Sequence, residues 1–186
     1  MTDSEFARLQ GSILPSVEPR DRIEALGKLD PEQLPVWQPM TGDLGLVYVA
    51  ADGATKRTLR YADLEKWHIA APLVMIVAEE NICAYNELSE ARIIGEQGGP
   101  ALLFHHADAP IAAAIAIASF QRCLQTMIGG PALVTMPRRN ALLAIGAGNR
   151  DGIETFVEQT EKLHRTARHP LSRALIRLDG GNLQPA

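Results

Sequence analysis

Three stretches of this sequence hold residue types that can do chemistry. The first, Gly146-Ala147-Gly148-Asn149-Arg150-Asp151-Gly152, falls between a strand-like and a helix-like run, where a glycine-rich turn can aim backbone N–H groups at a phosphate. Gly146, Gly148, Asn149 and Arg150 are its candidates for holding an anion. The dinucleotide fingerprint G-x-G-x-x-G is not met, because Asp151 stands at the third glycine position and Gly152 comes one residue late. Asp151 would also repel a phosphate, and a cap for the following helix suits it better. The second stretch is His105-His106-Ala107-Asp108, where imidazole and carboxylate are zinc or iron ligands. Adjacent strand residues point to opposite faces, so His105 and His106 reach one ion only across a bend, with His68, His164 or His169 converging from elsewhere.

The third is Arg138-Arg139, whose guanidinium forks suit carboxylate or phosphate and otherwise sit solvated in a turn. If Ala141 to Ile145 is extended, a rise of roughly 3.3 Å per residue separates this pair from Arg150 by roughly 15 Å or more. The two would then serve different ligands. For covalent catalysis the sequence offers no G-x-S-x-G elbow, and Cys83 and Cys123 form no Cys-x-x-Cys and have no basic neighbour to activate a thiol. Both read as packed thiols, and Glu79-Glu80 as solvated charge on a helix. No catalytic residue, resident metal or cofactor is expected.

Several elements must position these residues. Gly45 to Ala50 is rich in β-formers and leads through Asp52-Gly53, a tight-turn signal, to Thr55–Tyr61, giving a hairpin. The spacing of Leu73, Ile76, Val77 and Glu80 predicts a helix from Pro72 to Tyr85, although its apolar start also has the composition of a strand. Arg92–Gly95 and Ala101–His105 read as strands around the turn Gln97-Gly98-Gly99-Pro100. Asp108 can cap a helix from Pro110 to Ile128, apolar nearly all round in its first half and therefore buried there. Ala132–Met136 and Ala141–Ile145 form a hairpin, Asp151 and Glu154 cap a helix through Arg168, and Ser172–Leu178 is a last strand. The expected fold class is α+β, a mainly antiparallel sheet with helices packed on it.

The first 40 residues hold Pro15, Pro19, Pro31, Pro35 and Pro39 between short amphipathic pieces, Phe6–Leu9 and Ile23–Leu26, too brief to fold alone. They read as an N-terminal arm docked on a single domain of residues 41–186. At 186 residues, 46% hydrophobic and 22% charged, the chain has ordinary globular composition and enough length for one core, filled mostly by aliphatic residues because aromatics are only 5%. Residues 1–136 carry 10 basic and 17 acidic side chains, and 137–186 carry 8 and 5, so a net charge of −7 is followed by +3. That mild basic surplus falls short of the dense Lys/Arg stripe of a nucleic-acid binder. The longest apolar run, Ala109–Ala118, is too short to span a bilayer, and Met1–Phe6 lacks the basic start of a secretory signal. A cytoplasmic protein that binds neither membrane nor nucleic acid is expected.

From about Gly45 onward the chain resembles the YtpQ-like family of bacterial proteins of unknown function. The residues that carry the resemblance are Leu46-Val47-Tyr48-Val49 leading to Leu64 and Trp67, the helix end Asn81-Ile82, and Asp108–Ile128 followed by the Ala132–Ala144 hairpin. The closing pattern Leu171–Leu178 with Gly180-Gly181-Asn182-Leu183 belongs to it as well, while Arg139 departs from the acidic or neutral polar residue of the family pattern. The resemblance implies no activity, cofactor or catalytic residue. The residues themselves favour a non-enzymatic binding or assembly domain that contacts a protein partner or a second copy of itself. The alternative is a small-molecule binder or enzyme for a phosphate- or carboxylate-bearing ligand.

Overall fold

The computed structural model describes residues 4–52, 55–88, 90–94, 101–107 and 109–186. The fold is α+β, with two antiparallel sheets in two compact units, Met1–Tyr85 and Asn86–Ala186. Among the described residues no helix is long and apolar enough to cross a membrane.

In the first unit α1 (Ser4–Leu9) leads to β1 (Ile13–Pro19), α2 (Arg20–Leu29) and the short β2 (Trp37–Pro39). The sheet is built on β3 (Leu44–Asp52), which takes β1 along one side and β2 and β4 (Thr55–Thr58) end to end along the other. The register sets Asp52 opposite Thr55, and the turn residues Gly53 and Ala54 lie outside the described residues. Two helices follow, α3 (Tyr61–Trp67) and α4 (Ala71–Leu88), the second covering the helix expected from Pro72 to Tyr85.

The compact units divide after Tyr85, whereas the sequence suggested an arm of 1–40 on one domain of 41–186. The physical reason lies in β1. Its prolines, Pro15 and Pro19, read as strand breakers, but an edge strand tolerates a residue without an N–H. Ile13, Leu14 and Val17 are buried there, so the supposed arm is one side of the sheet.

The second unit contains β5 (Glu90–Ile94), β6 (Ala101–His105), α5 (Ala118–Ile128), β7 (Ala132–Arg138), β8 (Ala141–Gly146), α6 (Ile153–Arg165), β9 (Ile176–Asp179) and β10 (Asn182–Pro185). They form one sheet in the order β10-β9-β7-β8-β6-β5. On one face Phe156 and Ile153 of α6 pack with Ala101, Leu143 and Ile145. On the other, Phe120 of α5 meets Phe104 edge-on at 5.2 Å. Alternation along β6 puts Ala101 and Phe104 on opposite faces, so helices cover both. That double cover is why β8 is an unbroken apolar run, with Ala141 to Ile145 all fully buried.

Three expected elements differ. The helix from Pro110 to Ile128 is instead a tight 3-10 turn, Ile111–Ala116, and α5, separated by an extended Ile117 (φ −93°, ψ 121°). The buried Gln121 side chain donates Nε2–H to Ile115 O at 2.7 Å and so occupies a carbonyl that a continuous helix would use. Burial of Ile111 to Ile115 is as expected, while Asp108 and the turn 97–100 lie outside the described residues. At α6 the N-cap is Gly152, not Asp151, and no side chain caps the helix. Asn149 Oδ1 accepts the Gly152 N–H at 2.9 Å, and Asp151 is exposed. The last strand begins at Ile176 rather than Ser172, and it pairs with β10 across Gly180-Gly181, whose φ values of 55° and 84° suit a tight hairpin turn.

Candidate functional site

In the first unit the α3–α4 elbow forms a groove. Leu64 and Trp67 bury one side of α3, and the helix ends at His68, a non-glycine residue held left-handed at φ 53°. That conformation reverses the chain: His68 N–H donates to Glu65 O at 3.1 Å and Ile69 N–H to Leu64 O at 3.1 Å, closing the carbonyl end of α3 before α4 begins. The resulting groove, about 540 Å³ and open to solvent over most of its boundary, is lined by Tyr61, Leu64, Glu65, His68 and Ile69 to Ala71. Among the lining residues Tyr61 is 37% exposed, and on α4 Leu73 (40%) and Ile76 (55%) are exposed large apolar side chains.

Glu65 is the carboxylate among its lining residues. In the same unit, burial pushes the Tyr48 hydroxyl up to about 12; the Glu79 and Tyr61 charges add to the rise and a hydrogen bond with the Gln38 side chain opposes it. On another side of α3 a polar network pins α1. Glu5 accepts from Lys66 Nζ at 2.8 Å and Trp67 Nε1 at 3.1 Å, and these bonds, with the Lys66 and Arg57 charges, hold its carboxyl below the ordinary value. Arg57 bridges Glu5 at 3.3 Å and Asp63 at 2.8 Å while lying over the Trp67 ring. Arg8 pairs with Asp52, which lowers the Asp52 carboxyl and raises the guanidinium.

The second unit places the sequence candidates at two ends of β8. At one end Gly146, Gly148, Asn149 and Arg150 form a turn that uses its own hydrogen-bonding groups. Ala147 N–H donates to Pro131 O, Asn149 N–H to Gly146 O and Arg150 N–H to Gly148 O. The Gly152 N–H, which an anion at the start of α6 would need, belongs to Asn149. A Cβ at Gly152 would meet Ile145 Cδ1 and the Asn149 amide at 2.9 Å, so a larger residue there would push those side chains aside. At the other end lie His105, His106, Arg138 and Arg139. His106 Nδ1 accepts the Ala109 N–H at 3.0 Å, and His105 Nε2 is 3.3 Å from Asn140 Nδ2. The two imidazoles thus hold different neighbours, and among the described residues no three His, Cys, Asp or Glu side chains group as metal ligands.

Sequence reasoning passed over the groove, although a signal existed. Pro72–Ala78 is apolar on every side, so a helix there cannot bury all of it against one sheet face. Compared with known proteins, the chain matches no protein-family model, no curated protein and no solved structure.

Proposed function

We propose that this is a non-enzymatic, cytoplasmic binding or assembly domain that uses the α3–α4 groove to take an apolar, basic-flanked segment of another protein chain, either a second copy or a distinct partner. One observation carries this reading: the open groove exposes Tyr61 beside Glu65, and α4, which begins at its edge with Ala71, exposes Leu73 and Ile76. A groove this open cannot enclose most of a small ligand, whereas an exposed apolar patch with a polar rim suits a protein surface. Covering each of the three side chains would contribute on the order of 1 kcal/mol. Lysine or arginine beside the partner's apolar anchors would meet the Glu65 carboxylate and set orientation more than affinity.

The test is a photo-crosslinking residue at Ile76, with Arg22 on α2 as an exposed control, together with sedimentation velocity of the wild type over a wide concentration range. The expected result is an Ile76-specific adduct, or a concentration-dependent dimer, that Leu73→Glu abolishes. Equal adduct yields at 76 and 22 from a protein that stays monomeric would end the proposal.

A further inference from the structure

We infer that the second unit carries an oxyanion site at the bulged end of β7, with a phosphate group as the ligand it fits. This rests on residues of a different unit from the groove and is independent of it. Pro137 has no N–H for the ladder, and the register slips by one residue between the pairs Thr135–Leu143 and Arg138–Ala141. Such a bulge bends the strand and re-aims the residues beyond it, here Arg138 and Arg139.

The chain then returns to the same place after α6. Arg138 bridges to Pro170, Leu171 N–H donates to Pro137 O at 3.0 Å, and Ser172 N–H donates to Met136 O at 3.2 Å. Arg168 and His169, both beside this bridge in sequence, are thereby fixed within two residues of it. From the other side β6 sets His105 opposite Ala141, beside Asn140, and His106 N–H donates to Asn140 O at 3.3 Å. Three stretches distant in sequence meet through these backbone pairings, and they carry guanidinium, imidazole and amide groups. The described residues of those stretches, 101–107, 136–141 and 165–173, contain no carboxylate; the acidic residues set against them are Glu90, opposite His105 in register, and Glu161, paired with Arg173 at 3.3 Å.

Arg138 supplies the observation that points to a ligand. Its Nε is closed to solvent and has no hydrogen-bond partner among the described residues. A buried cationic donor left in that state is unfavourable, and an acceptor-only oxyanion relieves it. Phosphate suits the place better than a carboxylate, because its oxygens can accept from forks approaching on two sides. The basic last turn of α6, with Lys162, His164 and Arg165, complements the negative end of that helix and adds to the local positive field.

The experiment titrates the full chain by calorimetry with inorganic phosphate and, separately, with glycerol phosphate, against sodium chloride at matched ionic strength. The expected result is saturable phosphate binding, weakened about tenfold or more by Arg138→Gln and by Arg168→Gln and unchanged by Arg150→Gln at the other end of β8. Tighter binding of the monoester would identify a phosphorylated small molecule as the source, and equal binding would identify free phosphate. Arg168 is exposed, so its variant carries the test even if Arg138→Gln fails to fold. Absence of saturable binding, a response that follows ionic strength alone, or an equal loss in Arg150→Gln would overturn the proposal.

Discussion

The two units hold their chains by different means. In the second, a strand covered on both faces is the main support: Leu142, Leu143, Ala144 and Ile145 are all fully buried, and helices from either side close over them. In the first, a narrower sheet accepts a proline-bearing edge strand, and side chains tie that segment down from outside the sheet. Asn81 on α4 donates Nδ2–H to Gln10 O at 2.7 Å and Ile13 O at 2.8 Å, while Glu5 gathers Lys66, Trp67 and Arg57. A continuous apolar pattern specifies one unit, and a few polar contacts complete the other. The first kind of information is spread over many residues and resists single changes; the second is concentrated.

That contrast can be broken or sharpened by four measurements. The largest effect is expected from Leu143→Ala, about 2–5 kcal/mol by lost burial and the cavity left behind. Both tryptophans, Trp37 and Trp67, lie in the first unit, so the far-ultraviolet circular dichroism transition should move while the tryptophan emission transition stays. A common shift in both signals would show that the units do not respond separately. Next, Asn81→Ala should cost about 1–2 kcal/mol, because two backbone carbonyls lose donors, with a partial offset from alanine's better helix propensity. Here emission should move. Asn149→Ala should cost about 1 kcal/mol by removing the acceptor of the Gly152 N–H in the turn before α6 while leaving phosphate affinity unchanged, which separates the two ends of β8.

The smallest effect concerns pH. The Glu5 carboxyl is held below its ordinary value of 4.5, first by the hydrogen bond from Lys66, so its contribution is present above that value and is lost as pH falls through the lowered one. Melting temperature should therefore fall less steeply on acidification below about pH 4.5 in Glu5→Gln than in the wild type. Identical acid profiles would show that the Glu5 network contributes nothing to the first unit.

The same contrast explains what could be read in advance. Apolar periodicity and turn residues marked α4, β6, β7 and β8 because those elements are specified by their own residues. Strand β1 was hidden because Pro15 and Pro19 signal interruption locally and are tolerated only at an edge, a fact about neighbours. The break at Ile117 was hidden for a similar reason, since it depends on a buried Gln121 amide reaching back to Ile115 O. The separation of Arg138 from Arg150 followed from strand rise alone, and the pairing of Arg138 with Ala141 and Ala132 with Gly146 places them at opposite ends of β8. Convergence of Arg138 with Arg168 and His169 did not follow from local sequence, because it depends on the bridge to Pro170. The groove was partly visible in the all-round apolar character of Pro72–Ala78, more than one sheet face can bury.

Tyr48 gives the first unit an optical property of its own. Its phenol is raised to about 12 from an ordinary value of 10.0, so the folded protein keeps it un-ionised where a solvated tyrosine is already becoming phenolate. The stability linked to that neutral phenol is intact below pH 10 and declines as pH rises towards 12. Absorbance near 295 nm at about pH 11 should consequently include Tyr48 mainly in molecules whose first unit has opened. A rapid alkaline jump would thus time that opening without a label, and Tyr48→Phe should delete the slow phase.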